Sequence, residues 1–324
     1  MLERAINRAW YGGFPWTWVL LPLMALYAYV VGKKRSQRNL ATVATPVIVV
    51  GNITVGGTGK TPLTEALVNL LADKGLRVGI ISRGYGASQR EFPHLIVPTD
   101  VAKSVGDEPY MMYRTLGVPI VIDPDRPRAL DRVRQEGVDL VLSDDGMQHY
   151  QLARDLEICV LDGKRGLGNG QLLPVGPLRE SKERLNTVDY VLTYGAKGNL
   201  GFSIEPICWV NVKTGEEVLP DDFKLMPNHC AIAGIGRPEK FFETLATMNM
   251  KVNSTRAFPD HYDYEPNDLI GLADQILMTE KDAVKVEGFA SKNMWFLRIS
   301  AKLSEPFKRD FISKVQCLLE NKNG

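Results

Sequence analysis

A mostly parallel α/β sheet flanked by helices is the fold the sequence predicts, together with a second, smaller α/β unit and an apolar N-terminal helix. Three observations carry it. Apolar, β-branched runs alternate with helical repeats from Thr45 to Gly195; a glycine-rich loop joins the first such run to the first such helix; and the stretch from Ala9 to Gly32 holds no charged residue. Strands that alternate with helices pair in parallel through right-handed crossovers.

The uncharged stretch comes first in the chain. It is long enough to span a bilayer, which takes about 20 apolar residues as helix, and Lys33, Lys34, Arg35 and Arg38 follow it at once. Its length, its aromatics and those cations fit a cleaved signal poorly. Gly12, Gly13, Pro15 and Pro22 interrupt it, and Trp10, Trp16 and Trp18 suit the headgroup level, so a helix lying in one leaflet competes with a span. Arg4 and Arg8 on the other flank weigh against a full crossing, and an arm packed on its own domain or on a partner subunit is the plain alternative. The cations place the rest of the chain on the cytoplasmic side.

Next, "TPVIVVGN" (45–52) reads as a buried strand and "KTPLTEALVNLLADKG" (60–75) as a helix, with Leu63, Leu67, Leu70 and Leu71 at helical spacing and Gly75 as its stop. "LRVGIISRG", "VPIVID", "VDLVLSDDG", "LEICVLDG" and "VDYVLTYG" continue the strand series. "ICWVNVKTGEEVLP" alternates around a Thr-Gly turn and predicts a hairpin. "HCAIAGIGRPEKFFETLATM" reads as strand, turn and helix, and "DQILMTEKDAVK" and "MWFLRIS" as strands. Phe307, Phe311, Val315 and Leu318 predict a terminal helix. The division expected is residues 1–40 as a membrane-anchoring segment, 41–205 as the core domain and 206–324 as the second domain.

Composition narrows the function. The 324 residues are 44% hydrophobic and 24% charged, and the net charge of +1 supplies no field for nucleic acid, so no such partner is expected. Cys159, Cys208, Cys230 and Cys317 stand far apart, which suggests neither a zinc cluster nor a disulfide framework; all four read as buried small apolar residues.

The loop "VGNITVGGTGKTP" (50–62) carries the chemistry. The usual nucleotide loop reads G-x-x-x-x-G-K-[ST]; here Gly59, Lys60 and Thr61 fall into place, while Thr54 stands where the first glycine belongs. Gly56, Gly57, Thr58 and Gly59 leave backbone N–H groups open to phosphate oxygens at a helix N-terminus. Lys60 reaches the β- and γ-phosphates and the Thr61 hydroxyl suits Mg²⁺, so the loop predicts an ATP site. Val55 replaces the lysine with which partition-type ATPases reach across a dimer, which argues against that mechanism.

Asp144 and Asp145 end an apolar strand, where open α/β sheets gather ligands, and at least one is expected to hold the metal. Arg83, Arg126 and Arg179 suit phosphate, since a planar fork matches it, although each alone also reads as a solvated surface residue. Gln148 and His149, beside the aspartate pair, are further substrate candidates. Asp107 by itself reads as a helix N-cap, and His261 lies in a polar loop; spacing does not join the two. "TEKD" around Lys281 is similar to base-reading loops of other P-loop proteins, a weak signal given no weight.

Taken together, "VGNITVGGTGKTP", "SRGYG", "VGDEP", "SDDGMQH", "LLPVGPLRE", "AIAGIGRPEKFF", "FPDHYDY" and "LMTEKDAVK" resemble, in this order, the tetraacyldisaccharide 4′-kinase family, the lipid A 4′-kinases of Gram-negative bacteria. Thr54 is what that family's loop carries. The resemblance implies transfer of the ATP γ-phosphoryl group to the 4′-hydroxyl of tetraacyldisaccharide 1-phosphate, two α/β domains that close over the site, and an enzyme on the cytoplasmic side of the inner membrane. It places the catalytic dyad on Asp107, as base, and His261, as the residue that tunes it. No obligate protein partner is expected. The rival reading is a membrane-associated P-loop ATPase acting as a switch on a protein partner; a kinase for a soluble sugar leaves the apolar arm idle.

Overall fold

The structure, a computed structural model, describes residues 2–12, 15–37, 39 and 44–323; Gly13 and Arg38, named above, lie outside them, as does the side chain of Arg4. Seven strands form the first half: β1 (Val47–Gly51), β2 (Val78–Ser82), β3 (His94–Leu95), β4 (Ile120–Ile122), β5 (Leu140–Asp144), β6 (Leu156–Asp162) and β7 (Tyr190–Tyr194). Six more follow: β8 (Gly201–Asn211), β9 (Glu217–Val218), β10 (His229–Ala233), β11 (Ser254–Ala257), β12 (Gln275–Thr279) and β13 (Met294–Leu303). All join one sheet in the order β11-β10-β12-β13-β8-β7-β6-β1-β5-β2-β4-β3, with β9 paired to β8.

The mostly parallel architecture expected from the sequence is the one found. β1, β2, β4, β5, β6 and β7 pair in parallel. Every residue of β1 is buried, as a central strand covered on both faces requires. β1 lies between β5 and β6, so the chain leaves it toward one side and later returns to the other; that switch opens a crevice at the carboxyl ends of the strands. The helix Lys60–Ala72 covers one face with Leu63, Leu67, Val68 and Leu71, the spacing that the sequence showed.

The second half repeats the pattern, with β10, β11, β12 and β13 parallel and β13 antiparallel to β8. The hairpin is present as β8 and β9, but β8 begins at Gly201, because its long pairing with β13 extends it. The border expected at 205/206 therefore falls inside a strand. The terminal helix Glu305–Asn323 also places Phe307, Phe311 and Val315 in the core of the first half. "DQILMTEKDAVK" is corrected: β12 ends at Thr279, whose hydroxyl accepts from the Asp282 N–H at 3.2 Å and starts the helix Glu280–Val286. Cys317 is exposed on the terminal helix, whereas the other three cysteines are buried.

The N-terminal arm is two helices, Leu2–Tyr11 and Leu21–Ser36, joined by a 3₁₀ turn at Pro15–Leu20. It docks on the segment before Glu180: Trp10 Nε1 donates to the Pro174 carbonyl at 3.2 Å, Thr17 Oγ1 to that of Val175 at 2.8 Å, and the Tyr27 hydroxyl to that of Arg179 at 3.0 Å. Trp18, Val19, Leu23, Leu26 and Tyr29 point to solvent. Trp16–Ser36 is the one stretch among the described residues long and apolar enough to cross a membrane.

Glu65 is a buried acid on the loop's helix. Burial, with Glu280 second, pushes its carboxyl up to about 8. An unfolded glutamate ionises near 4.5, so the folded state loses stability as pH rises between these values. Glu65→Gln is expected to raise Tm relative to wild type, and by more at about pH 8 than at about pH 5. An equal gain at both values, read by thermal melts, would show that this charge is not the cause.

Candidate active site

The loop Asn52–Gly59 leaves β1 at the crevice. Gly56 has φ 105° and Gly59, which caps the helix Lys60–Ala72, has φ 88°; both are left-handed backbone that favours glycine. Thr54 lies instead in an extended bridge to Leu178, so its position needs no glycine. The segment 177–179 supports the loop on that side: the Val55 N–H donates to the Pro177 carbonyl at 2.9 Å, and the Arg179 N–H to that of Ile53 at 2.7 Å. Inside the turn, Asn52 Nδ2 donates to Thr58 Oγ1 at 3.2 Å.

Lys60 sits 3.3 Å from Asp145 Oδ1, and Arg179 NH1 donates to both Asp145 oxygens, at 3.1 and 3.2 Å, and to Asn52 Oδ1 at 3.2 Å. Burial opposes charge on Asp145, but Lys60 and Arg179 outweigh it and hold the carboxyl at about 2. Its neighbour is the opposite case. Asp144 is buried, with Thr64 Oγ1 at 3.5 Å from Oδ1; burial, then Glu108 and Asp145, push its carboxyl up to about 7. Two adjacent acids are thus driven apart in strength, as expected of distinct roles.

These residues suit Mg²⁺. Thr61, Asp144 and Asp145 offer hard oxygens, and a cation would offset the cost of charging Asp144. Among the described residues no cluster of three or more acidic, His or Cys side chains forms a cage. Mg²⁺ is commonly bound by one or two carboxylates plus substrate phosphates, so none is needed.

The arginines and their neighbours separate. Arg126 is buried: its fork donates to the Asp123 carbonyl at 3.1 Å and the Asp144 carbonyl at 3.0 Å, bracing the end of β5, while its Nε meets no partner. Arg83 is exposed nearby and adds its charge at His149. Burial first, then Arg126 and Arg83, push His149 down to about 4, so its ring is neutral near pH 7. Gln148 Nε2 ties the Asn52 carbonyl, at 3.0 Å, to Glu180 Oε1, at 2.7 Å.

Asp107 and His261 meet across 154 positions of sequence: His261 Nδ1 lies 3.0 Å from Asp107 Oδ2. The N-cap reading of Asp107 is corrected. Gly106, at φ 97°, caps the helix Asp107–Leu116, and a Cβ there would meet the Tyr85 carbonyl oxygen at 2.8 Å. Asp107 is the first helical residue, and its carboxylate turns to the histidine. His261 is itself left-handed, at φ 58°, with its ring 5.2 Å from that of Tyr85. Behind it, Lys281 Nζ lies 3.1 Å from Glu108 Oε1, 3.4 Å from Asp260 Oδ1 and 3.4 Å from His261 Nε2. Burial works against the Lys281 charge, yet Glu108 and Asp260 prevail and raise its pKa.

One group escaped the sequence reading. Arg237 donates to the Gly57 carbonyl and to Asp162, and Lys240 Nζ donates to Asp162 at 2.8 Å. Burial opposes charge there too, but Lys240 and Arg237 keep the Asp162 carboxyl far below the usual range. The signal was available: Asp162 ends an apolar strand, as Asp144 does.

This geometry can be set beside known proteins. A model of the family described as tetraacyldisaccharide-1-P 4′-kinase matches residues 16–316. The chain belongs to that family. Named members include the tetraacyldisaccharide 4′-kinases of Pseudomonas paraeruginosa, 45% identical over 96% of this chain and 97% of the relative, and of Shewanella oneidensis, 42% identical over 100% and 98%. A crystal structure of LpxK from Aquifex aeolicus, in complex with ATP, is similar with a TM-score of 0.77 and 29% identity over 94% of this chain and 99% of that one. The fold and the kinase reading drawn from the motifs agree with these matches.

Gly59→Ala tests the loop. A left-handed alanine costs roughly 1–2 kcal/mol, and its Cβ would press on Ile204 Cδ1 at 3.3 Å. The affinity for ATP, measured by titration calorimetry, is expected to fall roughly 5- to 30-fold; unchanged affinity would show that the left-handed turn is not needed for phosphate binding.

Proposed function

We propose that the chain transfers the γ-phosphoryl group of ATP to the 4′-hydroxyl of tetraacyldisaccharide 1-phosphate, with Asp107 as the base. The observation that carries this reading, given the family, is the 3.0 Å contact between Asp107 and His261, which joins two otherwise unrelated motifs at the crevice of the phosphate loop. The acceptor O–H bond breaks and its proton passes to Asp107. The oxygen's electron pair forms the new bond to the γ-phosphorus as the bond to the β–γ bridging oxygen breaks, and ADP leaves. Phosphoryl transfer asks mainly for positioning and charge neutralisation. The loop amides and Lys60 supply these from the chain; Thr61, Asp144 and Asp145 would hold Mg²⁺, which neutralises charge on the phosphates when bound. Arg83, exposed near His149, is the arginine open to a substrate phosphate, while Arg179 works through Asp145. The two halves of the chain, joined by the Asp107–His261 contact, would act as the domains that enclose the substrate.

A four-chain lipid leaves a bilayer at a cost of about 0.8 kcal/mol per CH₂, so the enzyme has to come to the membrane. The exposed apolar face at Trp18, Val19, Leu23, Leu26 and Tyr29 suits a helix lying in the inner leaflet of the inner membrane, with Lys33, Lys34 and Arg35 at anionic headgroups on the cytoplasmic side.

Two measurements test these statements. With γ-labelled ATP, Mg²⁺ and the lipid in detergent, wild type should make labelled lipid. Asp107→Ala should lose about 10²–10⁴-fold in rate, and Lys60→Ala should fail with it. ATP hydrolysis without labelled lipid would favour the switch ATPase instead. For the arm, Leu23→Glu combined with Leu26→Glu should raise KM for micellar lipid and leave KM for ATP unchanged. A parallel rise in both would make the arm structural.

A further inference from the structure

We propose that Lys281 is a positioning residue that fixes His261 in the tautomer carrying its proton on Nδ1, aimed at Asp107. The inference rests on the reading of Asp107 and His261 as the working pair. It follows from what an ammonium group can do. Lysine has three N–H donors and no lone pair, so every polar atom it contacts has to accept. Here the three contacts are Glu108 Oε1, Asp260 Oδ1 and His261 Nε2, one for each donor. Nε2 therefore presents its lone pair, and the ring proton goes to Nδ1, which faces Asp107 Oδ2 at 3.0 Å.

Further contacts keep the arrangement in place. Lys281 is 14% exposed, so water competes little for its donors. Asp260 also accepts from the His261 backbone N–H, at 3.1 Å, which fixes the left-handed residue that carries the ring. Glu108 follows Asp107 on the same helix start, so one lysine ties both members of the pair to a common frame.

Four histidines make the test tractable, since ¹⁵N-histidine labelling of the full chain in detergent gives few signals and His261→Gln identifies the one in question. Wild type at mildly alkaline pH should show a protonated Nδ1 and an accepting Nε2 for His261. Lys281→Met should move the signal toward the Nε2–H form and lower kcat by ~10–100-fold, the size that loss of an outer partner reaches at metal-bound histidines, with KM for ATP held. Lys281→Arg, also a donor without a lone pair, should restore the wild-type signal. An Nε2–H tautomer in wild type, or an Nδ1–H signal unchanged in Lys281→Met, overturns the proposal, the first even where the methionine variant does not fold. Full transfer activity in Asp107→Asn would instead sink the dyad reading and leave the tautomer result standing.

Discussion

The carboxylate of Asp145 has Lys60 at 3.3 Å and Arg179 at 3.1 Å, and the architecture of the site follows from that three-way contact. A crevice that is to take a polyanion at a helix N-terminus needs positive potential, yet this one is also rich in acids: Asp107, Glu108, Asp144, Asp145, Asp162 and Asp260. Uncompensated, they would repel a nucleotide. Four of the six are matched to a cation, Asp145 to Lys60 and Arg179, Glu108 and Asp260 to Lys281, Asp162 to Arg237 and Lys240. Asp107 meets the His261 ring instead, and Asp144 has a Thr64 hydroxyl beside it. Asp144 is the one whose carboxyl is pushed up to about 7, and so the one with most to gain from an added cation.

Arg179 extends the same contact outward. Its side chain holds Asp145, its N–H holds the Ile53 carbonyl at the start of the loop, and its own carbonyl accepts from Tyr27 on the apolar arm. One residue thus touches the Asp145 carboxylate, the phosphate loop and the segment read as a membrane anchor. Displacing the helix Leu21–Ser36 would bear on the strand-like pairing of Thr54 with Leu178, and through it on the loop's shape. The arm is neither a free tether nor a plain piece of core: one side is hydrogen-bonded to the loop's support and the other is left apolar.

Much of the fold was legible because its strands are buried on both faces and read as unbroken apolar runs; β1, β2 and β5 are of this kind. β11, with all four residues exposed at a sheet edge, and the two-residue β3 carry no such signal. The helix Glu280–Val286 was masked because the apolar run of β12 leads straight into it, with only the Thr279 cap to mark the change. At the site, the loop and the aspartate pair were legible as local motifs. Asp107 with His261, and Arg237 with Asp162, were not, because each pair is assembled by the fold from distant segments; the family resemblance named the first and nothing named the second. An arginine beside an acidic strand end, as at Arg126, looks the same in sequence whether its fork meets a phosphate or two backbone carbonyls.

The order of groups around His261 decides what that histidine can contribute. In a nucleophile–imidazole–carboxylate triad, the acid holds Nδ1–H and leaves Nε2 free to take a proton from the reacting group. Here too an acid faces Nδ1, but Nε2 faces an ammonium instead of a reacting hydroxyl. A proton moved onto Nε2 would destroy the lone pair that Lys281 meets and set two positive groups against each other. On the proposed reading of Asp107 as base, a relay that passes the acceptor's proton through the ring is opposed at its far end by that ammonium. What the ring can give is a neutral Nδ1–H bond to one carboxylate oxygen, which steadies the carboxylate and leaves its other oxygen to face the hydroxyl. On that proposed reading the histidine orients the base, and the lysine behind it orients the histidine.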